Sequence, residues 1–541
     1  MSAFMFAVRM GRWGIAGFSL LAFASSLLQS TGFYAIAGHT HAERAAFGRS
    51  MSVLATQFSV ILPPPTRLDT AGGYVQWRSY GGLAIVFAVW ALVAAGGAAR
   101  GDEEHGLVEA VLASSTSRME MVATRVAAFA AGSFVAALAA GVGFIVGVQA
   151  GGESWTVRPV LEASVVLCAF AVACYALSLF IAQLTAARTA VATAGAVLLV
   201  LFFINSLSQA YTSLSTWRWL SPFRYYELSQ PLPPGGPFDV RATLILFFAG
   251  VALGLAAAVA FAFRDLGSPL IRFPARLRPT SYDASAAPVW RLAVVRGLYD
   301  RRLGLVVWAL GASWIAVVLV GLTKSILEPL LSIRALTPYL LQFLHGTDLY
   351  SSFLGATWLG VAELLLAAFA IASVARWSAE DSDGRLELIL ANPYSRPAVV
   401  VERALVLAFG ALFVAGLSGL VVAYVAHADG ILVDQGRLAA ATLLLVPLAL
   451  VFGAAGALIA SWSPRATVGL LGGFAFASYL MQQLGPIFNW PAWVQDLSAF
   501  KLYGTPLSGG IDPGGLAIMV VIILAGFGGA ILAIERRDVG A

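Results

Sequence analysis

Charge is scarce in this chain. Only 11% of its 541 residues are charged, against 59% that are hydrophobic. A soluble domain carries about 25% charged residues because its surface must face water. So few charges exclude a soluble globular protein and leave lipid as the solvent for most of the surface. Cysteine is nearly missing. Cys168 and Cys174 both sit inside one apolar run, where they read as small packing residues and not as a disulfide or a metal pair. Histidine is sparse and scattered over His39, His41, His105, His345 and His427, and no third ligand accompanies His39-Thr-His41. No nucleophile–base pair or cluster of acids marks a membrane enzyme. Lysine occurs only at Lys324 and Lys501, preceded by Thr323 and Phe500, so the chain has no Gly-Lys pair. A P-loop needs that pair to hold phosphates, so the sequence is read as no ATPase and no enzyme. No basic tract beyond what membrane topology explains accounts for the net charge of +5, so no nucleic-acid partner is expected.

What is present is apolar sequence in long runs, such as Gly81–Ala99, Val160–Ala182 and Leu438–Ser461. A span needs roughly 20 apolar residues, and with no water to satisfy its backbone it must be a helix. A β-barrel would show shorter alternating segments. Twelve runs qualify, near 14–37, 80–99, 124–148, 160–182, 189–208, 240–263, 303–322, 353–375, 403–426, 438–461, 467–484 and 515–534. The expected fold is an all-α polytopic membrane protein. The first run has no small-residue cleavage site after it and reads as a retained span. With both termini cytoplasmic, the inner segments hold most of the arginines, including a dense group from Arg264 to Arg302. The outer loop from His39 to Ser79 is long yet holds only Arg44, Arg49, Arg67 and Arg78. That asymmetry fits an N-in, C-in protein of the inner (plasma) membrane, and the Ala, Gly, Val and Arg usage fits a bacterial source. Pro274–Pro288 is polar and Pro-rich, which divides the chain into a half at 1–270, a linker at 271–288 and a half at 289–541. Val289–Arg302, and Met1–Trp13 in the same way, read as interfacial amphipathic helices before a first span.

The halves are repeats. Gly106–Arg125 aligns without a gap on Gly384–Arg403: Gly106 meets Gly384, Glu109 meets Glu387, Leu112 meets Leu390, Arg118 meets Arg396 and Arg125 meets Arg403. Acids precede both copies, Asp102, Glu103 and Glu104 in one, Glu380, Asp381 and Asp383 in the other. Leu220–Tyr226 matches Leu497–Tyr503, and Arg264–Gly267 matches Arg537–Gly540, in the same order. This predicts two parallel six-helix repeats related by a pseudo-two-fold axis along the membrane normal. A short helix, acidic at its start and basic at its end, is electrostatically well formed. Its retention in both halves points to a docking surface used twice.

The acidic-x-Gly-x-Leu/Val-Glu-x-x-Leu-Ala pattern followed by Ser-Arg resembles the loop after the second span of type-two ABC exporter permeases. The Leu-Ser-Pro-Phe-Arg-Tyr stretch and the Arg-Asp-Leu/Val-Gly endings resemble the same family. The fused form is most similar to actinobacterial polyketide-antibiotic (tetronasin-type) or multidrug exporter subunits. The resemblance implies coupling elements at Glu103–Arg118 and Asp381–Arg396 that dock on a separate, dimeric ABC ATPase. ATP and magnesium would be held by that partner and no cofactor by this chain. The first copy departs from the pattern, with Ser115 where the second has Pro393, so unequal docking is expected. The resemblance also implies that second and fifth spans line a path for hydrophobic or amphipathic cargo. Polar groups at membrane depth on those spans are Asn205, Gln209, Tyr479, Gln482 and Gln483, with Trp90 and Trp358 as apolar wall. Interhelical hydrogen bonding is the alternative role for these amides. Glu363 stands alone in the eighth span, for ion coupling or as a paired structural carboxylate. A secondary transporter of the major facilitator kind also has two six-span halves, and Gly297–Gly304 imitates that family's loop, but with one spacer missing and before the wrong span.

Overall fold

The computed structural model describes residues 3–57, 63–104, 106–114, 116–208, 213, 215–271, 292–321, 323–324, 327, 349–382, 384–391, 394–484 and 490–536. Gln209, Asp383, Ser115, Pro393, the linker Pro274–Pro288 and Arg537–Gly540 lie outside the described residues, as does the side chain of Gln483. Among the described residues every regular element is helical. The chain divides into two compact units, Met1–Arg278 and Pro279–Ala541.

Among the described residues, eleven helices are long and apolar enough to cross a membrane. In the first unit they are Ala3–Ala37, Ala71–Glu104, Arg118–Ala150, Val157–Leu184, Thr189–Leu207 and Val240–Phe263. In the second they are Arg302–Gly321, Leu349–Asp381, Arg396–Ala428, Gln435–Trp462 and Pro513–Arg536. The remaining run of the twelve lies in the helix Pro464–Leu484. Its apolar stretch, Ala466–Tyr479, is shorter than the others. This is an all-α polytopic membrane protein.

Three local differences from the sequence reading have physical causes. The second span begins at Ala71, not near residue 80, because Thr70 caps it, accepting from the Gly73 amide at 3.1 Å. Polar residues hid this turn: Gln76 accepts from the Leu232 amide at 3.4 Å, and Ser79 meets Ser25 and Ser26 at 3.0 and 3.1 Å. Part of the expected outer loop is a helix, His41–Gln57. The N-terminal segment is no separate interfacial helix, since Ala3–Ala37 runs unbroken. In the second unit Ala293–Asp300 does form its own short helix, which fits the amphipathic reading of that stretch.

Within the first unit the fourth span is the centre, with 78% of its apolar window buried. The repeated Ser-x-Phe-x-x-Tyr stretch ties the segment after each fifth span to its bundle in the same manner. Phe223 and Phe500 are buried. The Tyr226 hydroxyl donates to the Tyr80 carbonyl at 2.9 Å, and the Tyr503 hydroxyl to the Ala441 carbonyl at 2.9 Å.

Candidate functional site

Each second span runs into a glycine that reverses the chain. Gly106 has φ 70° and Gly384 φ 71°, a left-handed conformation that a side chain would strain. The short helices Leu107–Leu112 and Arg385–Leu390 follow. One apolar residue anchors each, Val108 at 1% exposure and Leu386 at 2%. Glu104, Glu109 and Glu387 are exposed, while Leu112 and Leu390 are half-buried. A serine then caps the third span: Ser117 accepts from the Glu120 amide at 3.1 Å and Ser395 from the Ala398 amide at 3.4 Å. The repeat found in sequence is therefore a repeat of backbone, anchor and cap. The exposed faces differ, since Leu388 stands 71% exposed on the second helix where the first has Ala110. Glu387, Leu390 and Arg396 also line one open cleft of about 400 Å³ beside Tyr394, whose hydroxyl donates to Glu402 at 2.8 Å.

The charges flanking these helices face inward. Arg125 pairs with Asp102 at 2.6 Å and Arg403 with Glu380 at 2.8 Å, one bridge at the same register in each half. Arg118 donates to the carbonyls of Phe261 and Arg264 at 3.1 and 2.7 Å. Arg396 likewise donates to the carbonyls of Ile534 and Glu535 at 3.0 and 3.3 Å. Both therefore close the open end of their unit's last span. Glu103 is buried as well. Its carboxylate takes both ends of the Arg264 guanidinium at 2.9 and 2.6 Å and Arg100 at 3.2 Å, and accepts from the Gly267 amide. Arg264 also donates to Gln183 at 2.7 Å, and Arg100 to the Ala182 carbonyl at 2.9 Å. Asp381 lies at the matching place, beside Leu386 and Arg403.

Two of the amides read as a cargo path, Asn205 and Gln482, are engaged. Asn205, 2% exposed, donates to Glu227 at 2.7 Å. Glu363, 4% exposed, is hydrogen-bonded by Gln482. Each unit thus buries one carboxyl against a carboxamide from its fifth span. Tyr479 stands edge-on to Phe500 with ring centroids 6.4 Å apart, and Trp358 is fully buried. Trp90 borders a cavity of about 530 Å³ in the first unit. Sequence reasoning missed Arg100, Gln183, Arg264, Glu227 and Tyr394 as participants; the doubled Arg-Asp-x-Gly ending was the available signal for Arg264.

Burial raises the Glu227 carboxyl from its ordinary 4.5 to about 7, against the opposing pull of Asn205 and the Arg224 and Arg218 charges. Folding therefore favours its protonated form. That contribution is fully present below pH 4.5 and is lost as pH rises through 7. Thermal unfolding of the purified protein across this range should show stability falling by about 3 kcal/mol from this group, and Glu227→Gln should flatten that part of the profile.

Among known proteins, the sequence profile of one family matches residues 73–264 and 297–533, a stretch in each half and well over half of the chain. No curated protein matches. The family is described as multidrug efflux system permease Rv1217c, C-terminal domain. The match spans both halves, and the chain belongs to this family of multidrug efflux permeases.

Proposed function

We propose that this chain is the membrane-spanning permease of an ATP-driven exporter whose ATPase is a separate, dimeric polypeptide. The observation that carries this reading is the short helix built twice. In each copy a positive-φ glycine turns the chain, a single apolar residue anchors the helix, and a glutamate is left exposed. Such a helix, tied to its bundle through ion pairs, is suited to receive a push from a docked partner. The face carrying these helices would be cytoplasmic, with both termini on that side of a bacterial plasma membrane. ATP and magnesium would be held by the partner. Its closure would move Leu107–Leu112 and Arg385–Leu390 and switch the permease between inward-open and outward-open states. Cargo would be hydrophobic or amphipathic, drawn from the cytoplasm or the inner leaflet.

The test is a pull-down of tagged chain from its native membranes with ATPase activity assayed on the recovered complex. Wild type should bring down an ATPase. Glu109→Arg/Glu387→Arg should lose it, or keep it without coupled activity, since two exposed carboxylates become cations at the contact. A wild type recovered folded, alone and inactive would sink the reading.

A further inference from the structure

The two halves share a register but do not share a cavity. The space of about 530 Å³ in the first unit is of the size that holds small molecules. Trp90, Phe129 and Tyr175 line it, with Phe129 and Tyr175 stacked at 4.2 Å and Trp90 tilted on Phe129 at 4.9 Å. The short helix Leu107–Leu112 and the turn after it supply Ala110, Val111 and Ser114 to its wall. Among the described residues its only charged lining groups are Asp102 and Arg125, which neutralise one another at 2.6 Å.

The register that pairs Gly106 with Gly384 also pairs Ala94 with Ala372, Ala98 with Arg376 and Ala128 with Val406. All three alanines of the first unit line the large cavity. Their three counterparts line a remnant of about 30 Å³, room for a water or two. Arg376 and Val406 have grown into the space, and Phe369, standing where the first half has Ala91, packs its ring on Trp308 at 5.8 Å. The backbone differs at the same point. A π-helical turn, Gly97–Gly101, widens the second span between cavity residue Ala98 and Asp102, whereas Gly360–Ser382 runs on as regular α-helix. Such turns recur at functional sites.

We propose that this permease carries one cargo pocket and not two: the first-half cavity walled by the coupling helix takes an uncharged amphiphile with an aromatic or alkyl body, and its second-half counterpart is plugged. Aromatic rings and apolar walls select the body, and the neutralised ion pair gives no preference for net charge. Because Ala110 and Val111 are wall residues, occupancy reports to the partner through Leu107–Leu112 alone. That last step rests on the ATPase-docking reading, while binding itself does not.

The test is photolabelling of the full chain in lipid nanodiscs with N-decyl-4-benzoylbenzamide, an uncharged aromatic amphiphile, followed by peptide mapping. Label should fall on first-half peptides around Trp90–Ala98 and Val111–Phe129. Ala98→Arg/Ala128→Val, which installs the second half's own plug, should cut labelling about tenfold. The reverse change, Arg376→Ala/Val406→Ala, should open a second labelled site in the second half, and this keeps the test decisive if the plugged variant fails to fold. A chase with unlabelled N-decylbenzamide should remove the label. Equal labelling of both halves, indifference to the plug, or displacement by added phospholipid in place of the amide would overturn the proposal. Labelling needs no ATPase, so it stands or fails apart from the docking reading; amphiphile stimulation of ATPase activity, lost on plugging, tests the two together.

Discussion

Replacing Glu103 by alanine should cost about 3–5 kcal/mol, among the largest effects expected of a single substitution in this chain. The carboxylate takes both ends of the Arg264 guanidinium and also holds Arg100, and both cations are almost wholly buried. Taking it away strands two cations where water cannot reach them. Gln183 and the Ala182 carbonyl, which stay in place, are neutral dipoles that cannot replace a full charge. Glu103→Gln should be milder, since shape and some hydrogen bonding survive, yet still destabilising. Asp381→Ala, at the matching register, should cost less, because Ser378 stands where the first half has the buried cation Arg100. Urea titration of the purified protein, followed by tryptophan fluorescence, reads the order Ala below Gln below wild type. Equal midpoints for Glu103→Ala and Asp381→Ala would show that the buried cluster is not what secures the first unit's short-helix end.

The parts of this molecule that were legible in sequence are those written in local pattern. Apolar runs of twenty residues can be only helices in lipid, so the spans followed directly. The short helices were legible because Gly106, Glu109 and Ser117 recur at one spacing as Gly384, Glu387 and Ser395. What escaped depends on contacts between residues far apart in the chain. Nothing near Glu103 in sequence announces Arg264, and nothing near Asn205 announces that Glu227 folds back beneath it. The beginning of the second span escaped for another reason: Gln76 and Ser79 look like loop residues until their buried partners are known. The plugged pocket is an intermediate case. Alanine against arginine at positions 98 and 376 is visible when the halves are aligned, but only the volumes give it a meaning.

Gly143→Val should be as damaging as the loss of Glu103, by a different route. In lipid, helices gain no hydrophobic drive from meeting one another and rely on close contact. The first and third spans achieve it at Gly143, where a β-carbon would collide with the Phe23 carbonyl oxygen and come within 3.2 Å of the Leu27 amide. One turn on, a β-carbon at Gly147 would overlap the Ser30 hydroxyl, so the pair forms a single seam. At Gly143 the obstacle is backbone, which cannot rotate away as a side-chain tip can. The two helices must separate, and the dispersion attraction forfeited along the seam adds to the overpacking cost, for about 3 kcal/mol or more. Val142, next in sequence but 52% exposed, provides the control, since Val142→Leu changes apolar volume without touching the seam. Thermal unfolding in detergent should give a much lower midpoint for Gly143→Val and an unchanged one for Val142→Leu. Because the first span also supplies Met10, Gly11 and Ile15 to the large cavity, the same displacement should reduce amphiphile labelling. A variant that unfolds early yet labels like wild type would mean that the seam holds the bundle together without shaping the pocket.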